Sequence, residues 1–120
     1  MNNPAKKYDI ADRTLNFARN IRQLIKSMLR TLINIEDGKQ LVRSSGSVGA
    51  NYLEACEALS KKDFLKHLKI SRKEARESAY WIELIEVEMS QESIRQDLLS
   101  EARQLVKILT AIIIKTERQN

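Results

Sequence analysis

Proline is almost missing from this chain. Pro4 is the only one in 120 residues, and glycine occurs three times, at Gly38, Gly46 and Gly49. An all-β domain of this length needs many turns built from those two residues, and an α/β domain needs several. Their scarcity argues against both and leaves a mostly helical domain with few, short connections. Cysteine occurs once, at Cys56, so no intramolecular disulfide can form, as suits a reducing cytoplasm. The longest unbroken apolar runs, such as Ala111–Ile114, stop at four residues, far short of the roughly 18 that a membrane span needs. The polar stretch Met1 to Asp9 lacks the apolar core of a signal peptide. A soluble, cytoplasmic protein with no membrane partner is expected.

What is present is a core. Leu, Ile, Val and Phe supply 33 of the 120 residues, above the ~20% level below which chains tend to stay disordered. The length suits one domain, 1–120, with 1–8 as a flexible N-terminus. Four segments have helical period. The first, about Asp12 to Thr31, carries an apolar stripe of Leu15, Ala18, Ile21, Ile25, Met28 and Leu32, with Asp9 or Asp12 as cap. Leu32–Ile35 reads as a short, partly buried connection. The second starts near Asn34 as N-cap and runs through Leu41, Val48, Tyr52, Ala55, Cys56 and Leu59. It contains Gly46 and Gly49, each costing about 1 kcal/mol relative to alanine in a helix interior, which implies close approach to a neighbouring helix. The third, about Lys61 to Met89, opens on a capping box of Ser60 and Asp63. Its stripe is Phe64, Leu68, Ser71, Ala75, Ala79, Ile82 and Ile85, with Trp81 beside it. The fourth, about Glu92 to Arg118 with Ser90 or Ser93 as cap, has a wide apolar face from Ile94 and Leu98 to Ile112. The expected fold is all-α, an antiparallel up-down four-helix bundle. Ile108, Ile113 or Ile114 and Trp81 exceed what a bundle stripe needs and suggest a second covered face, hence self-association.

Residues for chemistry are scarce. His67 is the only histidine and reads as a surface residue; Cys56 reads as a small buried hydrophobe. A ferritin-type carboxylate site wants Glu-x-x-His on two helices and cannot be built with one histidine. Ser44-Ser45-Gly46-Ser47-Val48-Gly49 resembles a phosphate loop, but it lacks the Lys-Ser/Thr ending and a preceding strand, and helical period runs straight through it. No catalytic residues, cofactor or metal are expected. A polar face is more unusual: Arg43, Ser47, Asn51 and Glu54 align on the second segment, where serine and asparagine are poor helix-interior residues. Arg72, Glu74 and Ser78 on the third segment are candidate partners for them in a buried structural or interface network; the alternative is a solvated face.

Basic residues cluster. The formal net charge is +5. Residues 61–76 hold seven Lys or Arg against Asp63 and Glu74, whereas 77–88 hold four glutamates and no Lys or Arg. Lys62, Lys66, Lys69, Lys73 and Arg76 recur at spacings of four and three, on one face, as do Arg19, Arg22, Lys26 and Arg30 on the first segment. Such rows suit a phosphate backbone met by charge and shape, so RNA or DNA is a candidate partner. With aromatics at 5%, stacking platforms for single strands are nearly absent. The alternative is a solvated lysine-rich face on a scaffold whose partner is another protein.

Gln40-Leu41-Val42-Arg43-Ser44-Ser45-Gly46-Ser47-Val48-Gly49-Ala50-Asn51-Tyr52-Leu53-Glu54-Ala55 resembles the signature helix of the 23S rRNA intervening-sequence proteins, also called the four helix bundle protein family. Asp63-Phe64-Leu65, Ile70 to Ser78 and Tyr80-Trp81 are similar to its third-helix signature. The resemblance implies an up-down bundle assembled as a homopentamer, a bacterial origin, and no established biochemical activity.

Overall fold

The structure is a computed structural model, and it describes residues 9–119; the expected flexible arm, 1–8, lies outside them. The described residues form four helices and no strand: α1 (Ile10–Lys26), α2 (Leu32–Cys56), α3 (Lys61–Leu84) and α4 (Glu92–Glu117), with a 3-10 turn at Met89–Gln91 before α4.

Caps mark where three helices begin. Asp9 Oδ1 accepts from Ala11 N at 2.9 Å and starts α1. Thr31 Oγ1 accepts from Asn34 N at 3.1 Å and starts α2. Ser60 Oγ accepts from Asp63 N at 3.1 Å and starts α3. Each satisfies one of the amides a helix N-terminus leaves without a partner. The fourth helix has no side-chain cap: Gln91, not Ser90 or Ser93, holds the cap position, and the 3-10 turn leads into the helix.

Consecutive helices pack together, and α1 also packs against α4. Residue pairings give the directions. Gly49 lies by Thr14 and Gly38 by Ile25 and Met28, so α2 runs against α1. Val48 meets Ser71 and Ser44 meets Ser78, so α3 runs against α2. Arg72 meets Thr110 and Glu83 meets Arg103 between α3 and α4; Arg13 meets Glu101 and Ser27 meets Gln91 between α1 and α4. Diagonal partners are therefore α1 with α3 and α2 with α4. The core is one cluster centred on Phe17, Ile21, Leu41, Val48, Leu68, Ile82, Leu105 and Leu109.

Several sequence expectations shift. The inward stripe of α1 is Thr14, Phe17, Ile21 and Leu24, while Leu15 is half exposed. Thr14 is buried because its hydroxyl donates back to Ala11 O at 3.0 Å, which lets a polar residue occupy an inward position. α2 starts at Leu32, not Asn34, since the Asn34 side chain is engaged elsewhere and Thr31 caps instead. α3 stops at Leu84, not Met89: Asn34 bonds both the N–H and the carbonyl of Glu86 and holds that stretch extended. Leu59 falls in the α2–α3 turn and is fully exposed; Cys56, at the end of α2, is exposed rather than buried. Ile113 belongs to the core and Ile108 is half-buried, so the surplus apolar width of α4 is smaller than its sequence suggests.

Candidate nucleic-acid interface

The α3 sequence sorts itself by side. Leu68, Ser71, Ala75, Ser78 and Ile82 point inward, which leaves Lys62, Lys66, Lys69, Lys73 and Arg76 on the outer face, all exposed. From Lys62 to Arg76 the row is about 21 Å long at the helical rise of 1.5 Å per residue. That length faces about six phosphates of one strand at 3.4 Å per phosphate. Lys69 Nζ lies 3.0 Å from Glu117 Oε2 of α4, with both side chains about half exposed; such a pair is worth little. Lys62, Lys66, Lys73 and Arg76 make no ion pair among the described residues. Asp63, exposed beside Lys62, has no ion-pair partner among the described residues, but the later acids of α3 are drawn sideways. Glu74 and Glu77 are held by Arg43 of α2, and Glu83 by Arg103 of α4 at 2.9 Å. The outer face of the first half of α3 therefore keeps its positive charge.

The α1 row is different. Arg30 falls beyond the end of α1, in the turn before α2; Arg19, Lys26 and Arg30 are exposed, but Arg22 folds back. Its guanidinium donates to Ala18 O at 3.1 Å and to Val42 O at 3.4 Å, over the position where Gly46 has no side chain. Since α1 and α3 are diagonal, one chain does not bring the two basic rows onto one surface.

The polar seam between α2 and α3 is only partly the expected one. Arg43 Nη2 lies 3.3 Å from Glu74 Oε1, and the same group reaches Glu77. These two carboxylates, Glu74 first, hold the Arg43 guanidinium above its ordinary pKa. Glu74 is 6% exposed. Ser78 Oγ donates to Glu74 O at 2.8 Å and lies 2.9 Å from Ser44 Oγ. Four members of the set do not cross this seam. Asn51 donates to Ser47 O and Oγ at 2.9 and 3.0 Å within its own helix. Glu54 is exposed and has no polar partner among the described residues. Arg72 turns to α4, with Nη1 3.4 Å from Thr110 Oγ1. The residues that complete the seam are Ser44 and Ser71, both buried; Ser71 donates to Val48 O at 2.6 Å, while the buried Ser45 bonds Val42 O within α2. Their signal was available, because Leu41, Ser44, Ser45 and Val48 share one helical face.

The described residues contain no cluster of His, Cys, Asp or Glu able to hold a metal ion. His67 is half-buried, rather than a plain surface residue, with its Nδ1 buried and unpartnered. No described helix is long and apolar enough to cross a membrane.

The sequence pattern of the 23S rRNA-intervening sequence proteins matches residues 6–111. The chain belongs to that family. A solved relative is a protein of unknown function from the S23 ribosomal protein family of Bacteroides thetaiotaomicron VPI-5482, determined at 1.70 Å. It is 34% identical, with a TM-score of 0.71, and the alignment covers 87% of this chain and 97% of that one. No curated protein matches the chain. Both basic rows and the whole α2–α3 seam of this 23S rRNA-intervening sequence protein lie within the matched residues, whereas Glu117, the partner of Lys69, lies beyond them.

Proposed function

We propose that this protein is a non-catalytic, homo-oligomeric helical bundle, a pentamer as the family resemblance implies, that binds structured RNA through the outer face of α3. The reading rests above all on Lys62, Lys66, Lys69, Lys73 and Arg76, exposed on one helix face while Glu74, Glu77 and Glu83 are paired elsewhere. Charge of this kind positions a phosphate backbone without reading bases, so the expected preference is for shape, with little sequence specificity. A ring of copies repeats the row and multiplies weak contacts through effective concentration. The absence of a stacking surface along the row favours a duplex or hairpin over an extended single strand. The non-catalytic part rests on chemistry: no nucleophile, base and oxyanion donor converge among the described residues.

A second reading, a scaffold for another protein, draws on the apolar surface that the bundle leaves uncovered, including Leu15, Leu29 and Leu53. Purification of the protein with its bound molecules from the native cell separates the two. RNA that co-purifies, resists moderate salt and disappears on ribonuclease treatment supports the first. A stoichiometric protein partner with no nucleic acid supports the second.

A further inference from the structure

Two apolar clefts run along the seam of α1 and α2, one of about 540 Å³ walled by Leu15, Ala18 and Leu53, the other of about 330 Å³ walled by Met28, Leu29 and Val42. Gly46 and Gly49 line the first and Gly38 the second, and none of the three puts a side chain between the helices. Their edges are cationic: Arg19 and Arg22 border the first, Arg30 and Lys39 the second, against one acid, Asp12. The end of α3 carries the complement. There Tyr80, Leu84 and Met89 are exposed, at 60%, 43% and 95%. Glu83, Glu86 and Glu88 are exposed among them; Glu83 pairs with Arg103 of α4, while Glu86 and Glu88 have no ion-pair partner among the described residues.

We propose that the α1–α2 cleft receives the Tyr80–Met89 ridge of a second copy of this chain. Asn34 ties Glu86 to the end of the second cleft, but Tyr80, Leu84, Met89, Leu29 and Leu53 all stay exposed, so one chain does not cover either surface. A second copy covers both the apolar groups and their opposite charges. The contact joins two different surfaces, so it is head-to-tail, and such contacts propagate until the rotation closes them into a ring. The proposal rests on the homo-oligomeric reading above and assigns its contact. It also divides the basic residues: the α1 row serves assembly, and the α3 row is left free for RNA.

Charge reversal tests it, with mass read by light scattering and folding by circular dichroism. The wild type is expected to be a multimer. Arg19→Glu with Arg30→Glu, and separately Glu86→Arg with Glu88→Arg, should each shift the mass to 13.9 kDa, that of one chain. All four changes together restore attraction across the contact and should restore the multimer. Leu53→Arg, at a half-exposed cleft position, should also give single chains, which covers the case of a reversal variant that fails to fold. A multimer that survives both reversals and Leu53→Arg overturns this contact and leaves the oligomer reading standing. A wild type that is a single chain at micromolar concentration overturns both, and assigns the cleft to some other protein.

Discussion

The Asn34 side chain is buried and makes three bonds: Nδ2 donates to Leu29 O at 3.0 Å and Glu86 O at 2.8 Å, and Oδ1 accepts from Glu86 N at 2.9 Å. It joins the α1–α2 turn to the chain leaving α3, so its loss strands several backbone groups in a closed site. Asn34→Ala should cost about 1–3 kcal/mol in urea denaturation, the range for leaving a buried polar group unpaired. Glu54→Ala should stay within about 0.5 kcal/mol, as exposed positions without partners do. Tyr52 gives a prediction in pH. Burial first, and then Cys56 beside it, push its phenol up to about 12 from an ordinary value near 10. The folded state thus favours the neutral phenol. That contribution is present below pH about 10 and is lost as pH rises towards about 12. Ultraviolet titration of the folded protein should show a late tyrosine step, and Tyr52→Phe should remove it.

At the scale of helices, the two glycines of α2 have different surroundings and should respond with opposite sign. A Cβ on Gly49 would meet Thr14 Oγ1 at 2.8 Å and Thr14 Cβ at 3.1 Å, while one on Gly46 would meet the flexible end of Arg22 at 3.2 Å. Gly49→Ala should therefore lower the melting temperature despite better helix propensity. Gly46→Ala should raise it, with up to ~1 kcal/mol of added stability from propensity, because Arg22 can move. Helix number and approximate spans are readable from sequence, since apolar period and the Ser60 cap act locally. The α1 stripe is not, because Thr14 counts as polar until its bond to Ala11 O is seen, and Leu15 continues the helical period equally well. The end of α3 is not readable either: Asn34 and Glu86 are 52 residues apart, and no local signal reports their contact. For the candidate site, the α3 row is legible from spacing alone. The folding back of Arg22 and the turn of Arg72 towards Thr110 depend on which helix lies alongside, which is a property of the packed bundle.

For the whole molecule, the arrangement of charge carries the account. Glu74, Glu77 and Glu83 are drawn to Arg43 and Arg103, so the outer face of α3 is left with Lys62, Lys66, Lys69, Lys73 and Arg76. Each phosphate such a row neutralises on a duplex releases condensed counterions, with a log–log salt slope of roughly −0.9 per contact. Lys66 and Lys73 are the residues to change, because both are exposed and neither has an ion-pair partner among the described residues, and Lys and Glu have similar helix propensity. The most direct measurement is the affinity for a structured RNA hairpin across a salt series, for the wild type and for Lys66→Glu with Lys73→Glu. The account predicts that the double variant keeps its helicity and its assembled mass, binds more weakly at every salt concentration, and has a slope shallower by about two contacts, roughly 1.8. Equal binding by the two proteins, or no binding by the wild type at physiological salt, would contradict it.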